Sequence, residues 1–380
     1  MIYTYCKTFI KAFIKLSHLA RVKVNKLRFI CALRDKGRLS KKEMANICDL
    51  SIPTVNKIIR FYLQKKVVKE SEFGQSSGGR RPILYEFNEK VKYVIGVDFE
   101  IPELTLVVTD LKGRVVEKDF SHIPTRGSAQ SATEYVGEKI VSLIAKSGLT
   151  KEDVVGIGFG APAFLKDEKI TISGKNLPSW KDVPAKRILQ EITEIPVVVD
   201  NDVNLMTLSE SYHMDYRDTV LVYLTLRRGI KGDIRMGGGV LINGEVFDGA
   251  HGNAATLRHA YMDFSASRKP EELIEDVMKI ENPQEMVLKL RDHLLMPMLN
   301  MVILFDPDRV VINAGILEQW EGMFIEECEK GLKHRLRGLS DWEFKVEMAR
   351  DREMPCAKGA ALRVLQQIFS DPDLFVEKFR

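Results

Sequence analysis

A chain of 380 residues, 45% apolar and 29% charged, is long enough for two or three domains and has the composition of an ordinary soluble protein. Its five cysteines (Cys6, Cys31, Cys48, Cys328, Cys356) are scattered, odd in number and include no Cys-x-x-Cys pair. That argues against a disulfide framework or a cysteine-built zinc site, and fits a reducing cytoplasm. Charge divides unevenly: residues 1–90 hold 20 basic and 7 acidic side chains, a net of +13, whereas the whole chain is +4 and the remainder therefore −9. A basic head on an acidic body points to a polyanionic partner for the head.

The first segment, "YTYCKTFIKAFIKLSHLARV", is apolar but carries lysines about every four residues. It has no uninterrupted apolar core and no small-residue cleavage site, so it is not expected to be a signal peptide. No apolar run approaches membrane-spanning length. A basic amphipathic helix here has two uses, packing on the next domain or touching a membrane surface.

From Asn25 to Phe87 the pattern predicts three helices and a hairpin. Leu27, Ile30 and Leu33 give the first helix an apolar stripe that ends at "DKGR". Ser40-Lys41-Lys42-Glu43 is a capping box opening the second, with Met44, Ala45 and Ile47 on its buried face. Ser51 caps the third, in which Val55, Ile58, Ile59 and Tyr62 fall at i, i+3, i+4 and i+7 and form one buried stripe. Opposite lie Pro53, Asn56, Lys57 and Arg60, with Thr54 on the flank. Two short helices joined by a tight turn, the second with an amide and cations outward, match a helix-turn-helix reading the major groove. An ordinary bundle with a solvated charged face has the same helices. The hairpin favours DNA: "VVKES" and "ILYEF" are strand-like, and the loop between them ends in Arg80-Arg81-Pro82, suited to a wing along phosphates.

After Lys92 strands and helices alternate. "YVIGVDF", "LTLVVTD" and "RVVEKDF" predict a meander, followed by a helix and the strand "VVGIGFG". A second round runs from "PVVVD" through a helix, "TVLVYLTL" and "GGGVLINGEVF" to a long helix near residue 295, the strand "RVVINAG" and a last helix from Ala357. This predicts two α/β halves. The expected domains are a winged helix-turn-helix over 1–90, a first lobe over 91–195 joined by a C-terminal helix at 357–380, and a second lobe over 196–356.

The order "GVDF", "GIGFGAP", "NLPSW", "DNDVN", "GGGVLINGEVFDGAHGNA", "LRH" and "VVINAG" resembles the ROK family, which groups sugar-responsive repressors with sugar kinases. The resemblance spans residues 25–370, and the head with its "GGRRP" wing resembles the repressor branch. It implies an α/β actin-like ATPase (ribonuclease H-like) body behind an α+β winged helix-turn-helix domain. By that resemblance Asp98 matches the first phosphate-loop aspartate, and Gly237, Gly239 and Gly315 match nucleotide-side glycines. Asn176, Asn201, Asp202 and His259 match the sugar-binding set, with Asp202 as the catalytic base.

The chain departs from the family at several of these places. Glu100 replaces a phosphate-loop glycine and is expected to crowd and repel a phosphate. Ala163 replaces the glycine of the "PG" element, and Arg235 stands at the opening glycine of a loop with extra basic residues. Thr256 replaces the glutamate before His259, and no cysteine follows to complete a zinc site, which wants about four ligands. No zinc is expected, and ATP with Mg²⁺ only if the body is a kinase.

Three uses of "DNDVN" stay open at this point: a helix cap, a retained sugar contact, or a working base. The leading expectation is a cytoplasmic, DNA-binding regulator, most simply a repressor and a homo-oligomer, with operator DNA and a sugar effector as partners and no membrane. The alternatives are an ATP-dependent hexose kinase carrying a DNA-binding head, and a DNA-binding protein with no small ligand.

Overall fold

The computed structural model describes residues 18–73, 81–124, 128–166, 169–171, 180–212, 219–228, 234–250, 252–257, 270–338 and 343–379. The expectations for residues 1–17, Asn176, His259, Arg80 and the greater part of the wing loop lie outside them.

The head opens with α1 (His18–Lys36), then β1 (Leu39–Ser40), α2 (Lys41–Cys48) and α3 (Ile52–Gln64). The strands β2 (Val68–Phe73) and β3 (Ile83–Phe87) pair antiparallel, and β1 adds to β3. The capping box forms as its residues dictate: Glu43 N–H donates to Ser40 Oγ at 3.3 Å, and Ser40 N–H donates to the Glu43 carboxylate at 2.7 Å. Val55, Ile58, Ile59 and Tyr62 are buried, so α3 keeps its polar side outward.

The body holds two five-stranded sheets. The first is built from β4 (Tyr93–Glu100), β5 (Glu103–Asp110), β6 (Val115–His122), β7 (Val154–Ala161) and β10 (Val197–Asn201), in the order β10-β7-β4-β5-β6. Its meander is antiparallel, while β10, β7 and β4 run parallel. Helices α4 (Ala129–Lys146) and α5 (Ala185–Thr193) pack on it, and a small hairpin, β8 (Phe164–Lys166) with β9 (Lys169–Thr171), stands beside it.

The helix α6 (Asp202–Glu210) crosses toward the second sheet, which comprises β11 (Val220–Arg228), β12 (Ile234–Ile242), β13 (Glu245–Val246), β14 (Arg309–Asn313) and β15 (Lys345–Met348). Its order is β13-β12-β11-β14-β15, again antiparallel on one side and parallel on the other. Helices α7 (Pro270–Val277), α8 (Pro283–Phe305) and α9 (Glu321–Leu336) enclose its core.

Two details of the expected layout are corrected. The first sheet does not stop at residue 195: Val197–Asn201 pairs in parallel with Ile157–Ala161 and belongs to it. The apolar run "PVVV" finds its hydrogen bonds there rather than opening the second sheet. The last helix is also two helices, α10 (Pro355–Ser370) and α11 (Pro372–Lys378). Pro372 has no N–H to continue the first, and Asp371 caps the second, accepting from Asp373 N–H at 2.7 Å and Leu374 N–H at 3.2 Å.

Helix α10 positions the rest. It lies so close on β4 and β7 that a Cβ on Gly96 would stand 1.9 Å from Ala357 O, and one on Gly158 2.0 Å from Ala360 O. Only glycine admits that approach. The far end of α10, with α11, enters the core of the head: Phe369, Phe375 and Phe379 are buried in one cluster with Phe29, Tyr62 and Phe87. Ring centroids are 6.1 Å apart for Phe87 and Phe369 and 6.2 Å for Tyr62 and Phe375. Arg34 lies over the Phe369 ring at 4.3 Å. The head is therefore docked on the body through shared apolar packing.

Candidate functional site

The carboxyl ends of parallel strands are where open α/β sheets place ligands. In the first sheet Asp98 and Asp200 both register against Gly160, on either side of the end of β7. Asp202 follows at the first turn of α6. From the second sheet, Arg227 and Arg235 sit opposite one another on β11 and β12.

These residues converge on one ion network. Arg227 Nη2 donates to Asp202 Oδ2 at 2.5 Å, and its Nη1 to Glu100 Oε2 at 3.2 Å. Arg235 Nη1 donates to Glu100 Oε1 at 2.5 Å. Glu100 is therefore not the bare, repelling carboxylate expected from sequence; two guanidinium groups neutralise it. The Asp202 side chain is 4% exposed and that of Arg227 19%. Burial alone would weaken the charge on Arg227, but the carboxylates of Asp202 and Glu100 outweigh it and raise its pKa.

Asp98 lies deeper. Burial, reinforced by the negative charges of Glu100 and Asp202 and opposed by Arg227, pushes its pKa up to about 7. Its Oδ1 is buried without a hydrogen-bond partner, while the Cys356 thiol beside the carboxyl works against the shift. With Asp98 protonated, two carboxylates face two guanidinium groups and the network balances.

The remaining predicted residues are placed differently. Asn201 caps α6: its Oδ1 accepts from Val203 N–H at 2.9 Å and Asn204 N–H at 3.3 Å, and its Nδ2 donates to Ala163 O at 3.2 Å. The cap reading of "DNDVN" holds for this residue. Gly237 and Gly239 do not form an open cradle. A Cβ on Gly237 would meet Val203 Cγ2 at 2.5 Å, and one on Gly239 Thr207 Oγ1 at 2.0 Å. Both let β12 lie against α6. Gly315 begins a short 3-10 turn after β14, with no part in the ion network.

A second network, not foreseen from sequence, adjoins the first. Arg363 on α10 donates through Nε to Asp200 at 2.9 Å and through Nη2 to Asp248 at 2.8 Å. Asn204 Nδ2 donates to Asp248 at 3.0 Å. Burial raises the pKa of Asp200, with Arg363 acting against the shift. The signal for Arg227 was two cations closing an apolar strand ("LTLRR"). Arg363 gave none, because a lone arginine in a helix reads as a solvated face.

In the head, Asn56 is half-buried and Lys57, Arg60 and Arg81 are exposed. Thr54 is partly buried, its Oγ1 2.9 Å from Ser51 Oγ. Of the four α3 residues, Lys57 and Arg60 thus hold the outward side expected of them, while Asn56 and Thr54 lie partly buried at the edge of that face.

Comparison with known proteins matches residues 94–272 to the ROK family, a span that holds Asp98, Asp202, Arg227 and Arg235 and excludes the head. A xylose repressor of Caldicellulosiruptor bescii is 22% identical over 402 residues, covering 94% of this chain and 99% of that protein. A ROK family transcriptional regulator, homologous to the E. coli MLC protein, superposes with a TM-score of 0.76 at 18% identity, over 95% of this chain and 99% of its own. A ROK hexokinase from Thermus thermophilus gives 0.61 at 22% identity, over 73% of this chain and all of its own.

Proposed function

The chain belongs to the ROK family, and we propose that it is a transcriptional repressor whose kinase-like body senses a sugar without phosphorylating it. Full-length similarity to a repressor supports the first part, together with a helix-turn-helix head whose α3 turns Lys57 and Arg60 outward, with Asn56 at the edge of that face. The second part is carried by one observation: Arg227 sits between Asp202 and Glu100.

That arrangement fits a nucleotide poorly. Phosphoryl transfer depends on positioned donors and charge neutralisation around the transferred group. Here both guanidinium groups are committed to carboxylates and so are not offered to a phosphate, and Gly237 and Gly239 are packed against Val203 and Thr207 of α6. Asp202 is held as an acceptor for Arg227, a poor start for a general base. The same pair suits a sensor, because a fixed donor beside a fixed acceptor matches paired sugar hydroxyls. Asn176 and His259 belong to this proposed sugar site by resemblance. The protein is proposed to act in the cytoplasm, as a homo-oligomer on operator DNA, with no metal or nucleotide cofactor. Among the described residues no helix is long and apolar enough to cross a membrane.

The test is ATP turnover by wild type and Asp202→Asn over a panel of pentoses and hexoses, alongside operator binding with each sugar. The expected result is negligible turnover in both proteins and a change in operator affinity with at least one sugar. Robust sugar-dependent turnover in wild type that collapses in Asp202→Asn would establish the kinase reading instead.

A further inference from the structure

We propose that the head reads thymine methyl groups through the first turn of α3, with Ile52 as the specificity-determining side chain. This rests on the reading of the chain as a DNA-binding repressor. In a helix-turn-helix the N-terminal residues of the second helix meet the base edges. In that turn of this protein the side-chain hydroxyls of Ser51 and Thr54 are paired with each other and with the cap, leaving one O–H of the two to reach outward. Ser51 Oγ accepts from Thr54 N–H at 3.4 Å, and the two hydroxyl oxygens are 2.9 Å apart. Val55 is buried, and Pro53 has no N–H.

Beyond that hydroxyl, what the turn presents is aliphatic: Ile52, 43% exposed, and the exposed ring of Pro53. The buried stripe of α3 is complete without Ile52. On the major-groove edges of the bases the thymine C5-methyl is the one apolar group. Against it Ile52 buries apolar surface. Against a cytosine amino group or a guanine carbonyl it would strip water and offer no partner, which is the costlier outcome.

Ile52 and Asn56 are four residues apart and share a helix face. At 1.5 Å per residue their separation is about 6 Å, or roughly two base steps. An amide in the major groove favours adenine. The preferred half-site should therefore pair a methyl-read thymine with an amide-read adenine within about two steps, both on A·T pairs.

The experiment uses the full chain and a duplex selected from a random pool, with each thymine replaced singly by deoxyuridine. Losing one buried methyl, about 0.8 kcal/mol, predicts about fourfold weaker binding at one or two positions per half-site. Ile52→Ala should bind the unmodified and substituted duplexes equally at those positions, with its salt dependence unchanged, whereas Asn56→Ala should keep the deoxyuridine penalty. A preferred duplex indifferent to deoxyuridine at every thymine, or an unchanged penalty in Ile52→Ala, would overturn the proposal while leaving the repressor reading intact. Selection that yields no preferred duplex would overturn both.

Discussion

Arg363 donates to Asp248 at 2.8 Å, tying α10 to the segment that leads into residues 251–259. The same helix carries Phe369 into the core of the head. A sugar that moves this segment would act on Asp248, and through Arg363 on the rod beneath the DNA-binding domain. Coupling between two sites typically amounts to about 1–3 kcal/mol, or roughly 5–150-fold in affinity. Arg363→Met is expected to keep operator affinity without sugar and to bring the ratio of affinities with and without sugar toward one. Anisotropy titrations of labelled operator measure both.

The buried carboxyl of Asp98 predicts a pH dependence of stability. Its pKa in the folded protein, about 7, lies above the roughly 3.9 of an unfolded aspartate. Between those values the folded state holds the extra proton, so stability falls as pH rises from about 4 to 7, and the contribution levels off above that. Asp98→Asn keeps the shape and removes the titration. The variant should gain in Tm relative to wild type at pH 8, by an amount worth about 1–3 kcal/mol, and gain little at pH 4. Thermal unfolding at the two pH values checks this.

Arg80→Ala with Arg81→Ala should weaken binding to all duplexes alike and reduce the salt dependence by about two phosphate contacts. Asn56→Ala should instead cost about 1–3 kcal/mol on the preferred site alone. Binding isotherms at several salt concentrations, on selected and scrambled duplexes, separate the two effects.

Purified protein is expected to contain no stoichiometric zinc, because no cysteine lies between His259 and Cys328 to complete a four-ligand site. Elemental analysis finding about one zinc per chain would mean that other side chains had been recruited.

The head was legible because its determinants are local. A capping box, a Ser51 cap and one buried stripe on α3 lie within a few residues of one another, and the structure forms each of them. Most strands of both sheets were legible for the same reason, but β15 (Lys345–Met348) was not foreseen and β10 was expected in the second half rather than the first sheet. What the sequence concealed were relationships between distant segments. Gly237 and Gly239 look like a phosphate cradle, yet their purpose is set by Val203 and Thr207 on another element. Glu100 looked like an unpaired charge because Arg227 and Arg235 lie far along the chain. Of the readings of "DNDVN", the cap falls to Asn201, turned to the helix start, while Asp202 turns to Arg227, a partner that lies far along the chain.

The shared aromatic core has a consequence for the order of synthesis. The head leaves the ribosome first, but Phe29, Tyr62 and Phe87 find Phe369 and Phe375 only after the whole two-lobed body has been made. Domains usually fold as units during synthesis, N-terminal first. Here the nascent head waits with an incomplete apolar face, and a chain arrested before α10 would present a head lacking half of its aromatic packing. Completion of the head's core thus depends on the last helices of the body, and a chain truncated before α10 is expected to carry a less stable head.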